Sequence, residues 1–141
     1  MLFRSLIVVQ AAGANPFARL WRSGTSALEP LDDPQTAATA IRIGAPASWK
    51  KALRALRLTN GFATDVAEEA IADAKAAIGR EGIGCEPASA TTLAAIEQLT
   101  KTGEIDREAI VVAILTGHAL KDPDFIIRQH AASGDRSWNR Q

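Results

Sequence analysis

The chain has 141 residues, with 16 basic and 16 acidic side chains, one cysteine and two histidines. This length corresponds to one domain, which can bury a core without disulfides or a structural metal. The balanced charge argues against nucleic acid or an anionic membrane as partner, because either would need a basic patch. One cysteine excludes an internal disulfide and makes a Cys/His zinc site implausible. We therefore expect no metal and a reducing, cytoplasmic location.

Two apolar runs predict buried strands. Residues 6–9 (Leu-Ile-Val-Val) are largely β-branched and lack alternation, which is typical of a strand covered on both faces in a parallel sheet. Residues 109–115 (Ala-Ile-Val-Val-Ala-Ile-Leu) form the longest run of this kind and the strongest strand signal in the chain. A third, shorter strand is expected at 62–64.

Helices are predicted between these strands, because capping residues and prolines recur at suitable positions. Asn15 and Pro16 predict a capped helix that ends at Gly24. Asp65 and Glu68 match the spacing of a capping box for a helix that reaches about Arg80. Four more helical segments are expected: 35–41 after Asp33-Pro34, a helix capped by Ser48, one from Pro87 to Gly103, and one after Pro123.

Strands that alternate with helices predict an α/β fold of three layers, with a mostly parallel sheet flanked by helices. We expect residues 1–132 to form this single domain. Residues 133–141 are polar and are expected to form a flexible tail.

Ligands of parallel sheets bind at the carboxyl ends of strands, which directs attention to Thr116 and to residues 10–13. A hydroxyl held there can bond to a ring nitrogen or a phosphate, although a threonine at a strand end is also ordinary structure. Glu86 and Ser89 flank the start of the helix at Pro87, where free N–H groups can meet an anion or Glu86 can simply act as a cap. These residues alone leave the ligand open.

Two further side chains are weaker candidates. His118 lacks metal-ligand spacing, and a lone histidine is most often hydrogen-bonded or exposed. Cys85 has no histidine near it in sequence and is expected to be a small buried apolar residue rather than a nucleophile. The sequence also lacks the glycine-rich, nucleophile-elbow and zinc-protease motifs.

Three stretches together resemble a known family. They are 38–49 (Ala-Thr-Ala-Ile-Arg-Ile-Gly-Ala-Pro-Ala-Ser-Trp), 86–90 (Glu-Pro-Ala-Ser-Ala) and 115–123 (Leu-Thr-Gly-His-Ala-Leu-Lys-Asp-Pro). In identity, order and spacing they are similar to the carboxyl-terminal part of threonine synthase, a pyridoxal-phosphate enzyme of the tryptophan-synthase-β fold type (fold type II). The similarity runs from about Leu6 to Asp124. The second stretch alone would also suit dehydratases and serine racemases.

The resemblance implies site residues and a reaction. Thr116 would offer its hydroxyl to the pyridine nitrogen of pyridoxal phosphate and leave that nitrogen largely unprotonated. Glu86 and Ser89 would lie beside the cofactor ring, and Thr39 and Arg42 on the substrate side of the cleft. Family enzymes convert O-phosphohomoserine and water to threonine and phosphate.

The resemblance also implies what this chain lacks. In the family, the Schiff-base lysine, the asparagine at the ring hydroxyl and the glycine-rich phosphate loop lie upstream of the matched part. We therefore expect the chain to be inactive alone and to need an amino-terminal fragment, with a homodimer as a further expectation. Lys121, which lies within the third stretch, is the one lysine that merits a test. The alternative is a non-catalytic remnant that binds a small molecule or a protein.

Overall fold

A computed structural model describes residues 5–132 of the chain, with side chains as far as Ile127. Its strands and α-helices, in chain order, are β1 (Ile7–Ala11), α1 (Pro16–Ser23), α2 (Trp49–Leu58), β2 (Phe62–Val66), α3 (Glu68–Arg80), α4 (Pro87–Thr102) and α5 (Pro123–Ala132). Short 3-10 turns occupy Ala12–Ala14, Thr39–Ile41 and Ala119–Lys121. The tail expected at 133–141 lies outside the described residues.

The two strands form a parallel pair that is covered by helices on both faces. Ile7 pairs with Phe62 at one end and Ala11 with Val66 at the other. Side chains alternate between the faces, so Ala11 packs in a core with α3 and α4, whereas neighbouring strand residues pack towards α1 and α2. The α/β fold of three layers, with a parallel sheet flanked by helices, is thereby confirmed.

The larger core lies between the sheet and the helices α3 and α4. Many of its members are alanines, which let helices approach closely and bury backbone as well as side chains. The buried residues of this core are Ala11, Val66, Ile71, Ala74, Ile78, Cys85, Ala90, Ala94, Ala95, Leu99 and Ile105. The smaller core, on the opposite face, contains Phe17, Leu20, Leu56 and Ala63.

Helix α1 has the predicted boundaries but a different cap. Gly24 ends the helix in the left-handed conformation at φ 66°, where a residue without a β-carbon is favoured. At the other end, Asn15 makes no capping hydrogen bond. Instead the side-chain oxygen of Gln10 accepts hydrogen bonds from the backbone N–H groups of Phe17 and Ala18, both at 2.9 Å. The end of β1 therefore caps α1.

The capping box predicted for Asp65 is wrong, because Asp65 belongs to β2 and has other partners. Arg22 donates to both carboxylate oxygens of Asp65, at 2.8 and 3.0 Å, and the Asn15 amide also donates to this carboxylate. These bonds, that from Arg22 foremost, hold the pKa of the Asp65 carboxyl below its ordinary value. Helix α3 begins at Glu68 instead, after Ala67 in an extended conformation.

The helix expected at 35–41 is reduced to the single turn Thr39–Ile41. The backbone N–H of Gln35 donates to the Gly13 carbonyl at 2.7 Å, and the N–H of Ala37 donates to the Glu68 carboxylate at 3.0 Å. Because these groups bond to other segments, they are not available for a helical ladder. Ser48 precedes α2 as expected but makes no side-chain cap.

The strand predicted at 109–115 is also wrong for this chain. The segment has no regular secondary structure, and its apolar side chains face solvent: Ile110 is 97% exposed, Val112 83% and Ile114 70%. A strand needs a neighbouring strand to bond its N–H and C=O groups, and the sheet of β1 and β2 provides none here. The prediction failed because the sequence favours a strand but the described chain supplies no partner for it.

Candidate cofactor site

Two segments that are distant in sequence meet at the start of α4. Cys85 and His118 form an isolated antiparallel bridge, and the backbone N–H of Glu86 donates to the Gly117 carbonyl at 2.9 Å. Pro87 explains the local shape, because a residue before proline avoids the helical region and Glu86 is extended, at φ −73° and ψ 158°. Pro87 then serves as the first helical residue, a position that needs no N–H.

Ser89 joins the two segments through its hydroxyl. Its oxygen accepts hydrogen bonds from the backbone N–H of Thr116 at 2.9 Å and from that of Gly117 at 3.3 Å. It also lies 3.2 Å from the Thr116 hydroxyl oxygen. Ser89 is 2% exposed, and loss of its hydroxyl would remove the acceptor of the buried Gly117 N–H and of the part-buried Thr116 N–H.

Glu86 is the second side chain that holds Thr116. The Thr116 hydroxyl donates to the carboxylate oxygen Oε1 of Glu86 at 3.1 Å. The carboxyl group packs directly on the Cα of Gly117, where a β-carbon would overlap it. Glu86 is buried, whereas Thr116 is exposed. The three polar residues singled out by sequence, Glu86, Ser89 and Thr116, thus form one connected cluster with its threonine at the surface.

The two substrate-side candidates lie on a separate turn. The hydroxyl of Thr39 donates to a carboxylate oxygen of Asp122 at 3.0 Å. This bond ties the turn Thr39–Ile41 to the segment that follows His118. Arg42 is exposed, and its backbone N–H donates to the Thr39 carbonyl. The described hydrogen bonds connect Thr39 to Asp122 and do not join Thr39 or Arg42 to the cluster of Glu86, Ser89 and Thr116, although the turn Thr39–Ile41 packs against α4.

The remaining candidates have structural roles. Residues 10–13, at the end of β1 and just after it, are used internally: Gln10 caps α1, and the Gly13 carbonyl accepts from Gln35. Cys85 is buried, and burial raises the pKa of its thiol, which disfavours the nucleophilic thiolate. The Nδ1 atom of His118 accepts from the backbone N–H of Leu120 at 3.2 Å. Among the described residues, no group of three or more His, Cys, Asp or Glu residues is arranged to hold a metal ion.

Sequence analysis did not identify the bond between Glu86 and Thr116 or the role of Gly117. The two bonded side chains are thirty positions apart, and no periodicity relates them. The close packing of Glu86 on Gly117 is likewise a product of tertiary structure. The sequence offers one signal for this packing, which is the glycine that follows Thr116. A glycine there indicates that another group comes close to the backbone, but it does not identify that group.

The site fits one end of pyridoxal phosphate. An exposed hydroxyl held by two buried polar residues suits a ring nitrogen, because it is rigid and has hydrogen-bonding capacity left. The hydrogen bonds and ion pairs found within the described residues do not bring a lysine into this cluster. The cluster is therefore a candidate for one part of a cofactor site.

Comparison with known sequences agrees with this geometry. Residues 4–117 match the family described as "Pyridoxal-phosphate dependent enzyme". The match spans most of the chain, and the chain belongs to this family of enzymes.

The relatives within the family are more specific. Threonine synthase from Methanosarcina acetivorans is 46% identical over 120 residues, a stretch that covers 84% of this chain and 30% of that protein. Threonine synthase from Synechocystis sp. is 41% identical over 120 residues and is covered to 29%. The chain thus spans about a third of the length of the threonine synthases that it matches, consistent with the carboxyl-terminal part expected from its motifs.

Solved structures support the fold independently of sequence. Maize serine racemase superposes with a TM-score of 0.62 over 92% of this chain and 39% of that chain, at 19% identity. The T.th. threonine deaminase gives a TM-score of 0.54 over 67% of this chain and 34% of that chain, at 23% identity. At these identities the likeness concerns the fold alone. It confirms that fold for this chain.

Proposed function

We propose that this chain is the carboxyl-terminal part of a threonine synthase and contributes one side of its pyridoxal-phosphate site. The observation that carries the proposal is the cluster of Glu86, Ser89 and Thr116, built by two segments that the sequence separates. The complete enzyme would convert O-phosphohomoserine and water to threonine and phosphate in the cytoplasm. Bound pyridoxal phosphate supplies the electron sink for this chemistry.

The residues of this chain would hold and orient the cofactor. Thr116 would bond to the ring nitrogen, and Ser89 and Glu86 would keep its hydroxyl in place and lie beside the ring. Thr39, fixed by Asp122, would lie on the substrate side. Arg42 would meet the phosphate of the substrate, for which the planar guanidinium group is well suited.

The remaining part of the site would come from an amino-terminal partner. The segment 109–115 supports this proposal, because it combines strand-forming residues with exposure and leads directly into Thr116. A partner with an open sheet edge could pair with this segment and cover its apolar side chains. A homodimer that pairs two copies of the segment is the competing arrangement.

The test is to assemble the enzyme from two pieces. This chain is co-expressed with the part of the Methanosarcina acetivorans threonine synthase that precedes the matched stretch. We expect the pair to retain pyridoxal phosphate and to release phosphate from O-phosphohomoserine, and neither piece to do so alone. Size-exclusion chromatography distinguishes this pair from a homodimer of the chain. A pair that forms but retains no cofactor would refute the proposal.

A matched pair of substitutions tests the docking segment. Val112→Lys places a charge where we expect a covered strand, and it should abolish association with the partner. Leu58→Lys is the control, because Leu58 on α2 is also an exposed aliphatic residue, at 75%. Equal association by both variants would mean that 109–115 does not dock the partner.

The alternative function, a non-catalytic binding remnant, is tested with the chain alone. The chain is incubated with pyridoxal phosphate, reduced with borohydride, and its peptides are mapped by mass spectrometry. We expect no specific lysine adduct. A specific adduct at Lys121 would show that the chain builds a cofactor site without a partner, and small-molecule binding by the chain itself would then be the better interpretation.

A further inference from the structure

We propose that Asp122 is a positioning residue that holds the substrate-side turn Thr39–Ile41 in register with Thr116. The hydroxyl of Thr39 donates to a carboxylate oxygen of Asp122 at 3.0 Å, across 83 positions of sequence. The inference rests on the proposed function and deepens it, because it assigns one residue to the relative placement of the cofactor side and the substrate side of the site.

The first step is the burial of Asp122. This residue is 7% exposed, and an aspartate as buried as this normally has partners for its carboxylate oxygens. The ion pair found within the described residues joins Arg22 to Asp65 and does not involve Asp122. In the part of the chain that the structure describes, the Thr39 hydroxyl is the side-chain group that bonds to Asp122.

The second step is the short path between Thr116 and Asp122. The backbone N–H of Lys121 donates to the His118 carbonyl at 3.0 Å, and this bond begins a 3-10 turn. The backbone N–H of Asp122 donates to the Ala119 carbonyl at 3.2 Å and ends the turn. His118 is itself paired with the segment before α4. Because these backbone groups are bonded, the Asp122 carboxylate is held at a defined place relative to Thr116.

The third step is that the turn Thr39–Ile41 has other anchors. Just before it, the backbone N–H of Ala37 donates to the Glu68 carboxylate at 3.0 Å. At its end, Ile41 packs against the larger core. These contacts hold both ends of the turn but do not involve the side chain of Thr39. Loss of the bond to Asp122 should therefore release the Thr39 hydroxyl without unfolding the turn.

The consequence concerns the substrate rather than the cofactor. Thr116 belongs to the cluster proposed to hold the cofactor ring, and Thr39 belongs to the turn proposed to meet the substrate. A reactant displaced by about 1 Å can react roughly a hundredfold more slowly, so the register between these two parts matters. Loss of the bond between Thr39 and Asp122 should impair use of the substrate and leave retention of the cofactor intact.

The experiment uses the two-piece enzyme loaded with pyridoxal phosphate. We expect Asp122→Ala to lower kcat/KM for O-phosphohomoserine by about tenfold or more, with the cofactor content unchanged. Asp122→Asn should keep kcat/KM within about threefold of the unsubstituted enzyme, because its amide oxygen can accept the same hydrogen bond. Asp32→Ala is the control, because Asp32 is an exposed residue in the loop before the turn. An unchanged kcat/KM in Asp122→Ala, or an equal loss in Asp122→Asn, would overturn the inference.

A second measurement uses the chain alone and needs no cofactor. Thr39→Val removes the donor to Asp122 but keeps the shape of the side chain, and the ¹³C resonance of the Asp122 carboxyl should shift. Thr25→Val is the control, since the hydroxyl of Thr25 donates to the Ala27 carbonyl instead. This variant also decides the question if Asp122→Ala does not fold.

The two experiments separate the inference from the proposed function. An unchanged Asp122 resonance in Thr39→Val would refute the hydrogen bond on which the inference depends, whatever the assembled enzyme does. Failure of the two pieces to retain cofactor would instead refute the proposed function, and the measurement on the chain alone would still decide whether the bond exists.

Discussion

Strand β1 and the segment 109–115 have similar sequences and different structures. Both are rich in β-branched residues without charge, and both were predicted to be buried strands. β1 pairs with β2 and packs against helices on both faces, whereas 109–115 is irregular and exposed. The difference lies in the partners, because β-propensity describes how well a residue fits a sheet and does not provide the sheet. This combination of sequence and exposure is the basis of the docking role proposed for 109–115.

Amide hydrogen exchange should show the largest contrast between the two regions. The amides of β1 should exchange only when the whole domain opens, with an opening free energy of about 5 kcal/mol or more. The amides of 109–115 should show almost no protection. Addition of the amino-terminal partner should slow exchange in 109–115. Equal protection of both regions in the chain alone would mean that the segment already pairs, for example with a second copy.

Replacement of one isoleucine in the core that packs on β1, and of one in 109–115, should have different effects on the free energy of unfolding. Ile71→Ala removes a side chain that is buried in the larger core and should lower the free energy of unfolding by about 2–5 kcal/mol. Ile110→Ala makes the same chemical change at a residue that is 97% exposed and should alter it by about 0.5 kcal/mol or less. Urea denaturation of both variants checks this, and a similar loss in both would contradict the exposed placement of Ile110.

Glycine replacement tests how tightly the end of 109–115 is anchored to the cluster of Glu86, Ser89 and Thr116. Gly117→Ala would push a β-carbon into the Glu86 carboxyl and should cost about 1–3 kcal/mol of unfolding free energy. Gly79→Ala is the control in α3, where a β-carbon meets nothing, and should stabilise the chain by about 0.5–1 kcal/mol. Tolerance of alanine at position 117 would show that Glu86 can move aside.

The smallest effect is expected at the ion pair between Arg22 of α1 and Asp65 of β2. Asp65→Asn should cost about 1 kcal/mol at neutral pH, because the pair with Arg22 is partly exposed. The folded pKa of Asp65 is lowered, so its contribution is present above the unfolded pKa of about 4 and is lost as the pH falls through the folded value. The difference in unfolding free energy between Asp65→Asn and the unsubstituted chain should therefore be smaller at pH 3 than at pH 7. Asp73→Asn, on the exposed face of α3, is the control and should change the unfolding free energy at pH 7 by about 0.5 kcal/mol or less.

Much of the fold could be predicted from the sequence, because its signals are local. Helix ends are marked by residues whose backbone geometry does not depend on tertiary contacts. Prolines begin α1 and α4, and a glycine follows each of these helices: Pro16, Gly24, Pro87 and Gly103. Two predictions failed because a residue or segment had a distant competitor for its hydrogen bonds. Asp65 bonds to Arg22 instead of capping α3, and the backbone of 35–38 bonds to Gly13 and Glu68 instead of forming a helix.

The candidate site was predictable in part. A hydroxyl at a strand end drew attention to Thr116, and the motif resemblance named Glu86 and Ser89. The roles of these residues, and of Thr39 and Arg42, stay predictions. The order of donors and acceptors among the three residues could not be inferred from sequence, because it depends on which N–H groups reach Ser89 in three dimensions.

Cys85 gives this chain a built-in reporter of how firmly the two site segments hold together. It is the single cysteine of the sequence, and it is 2% exposed. Its backbone forms the antiparallel β-bridge with His118 at which those segments meet. A thiol reagent can reach it only when the segments separate, so the labelling rate measures the free energy of that local opening. Oxidants face the same barrier, and the integrity of the site thereby also protects its own thiol from chemical damage.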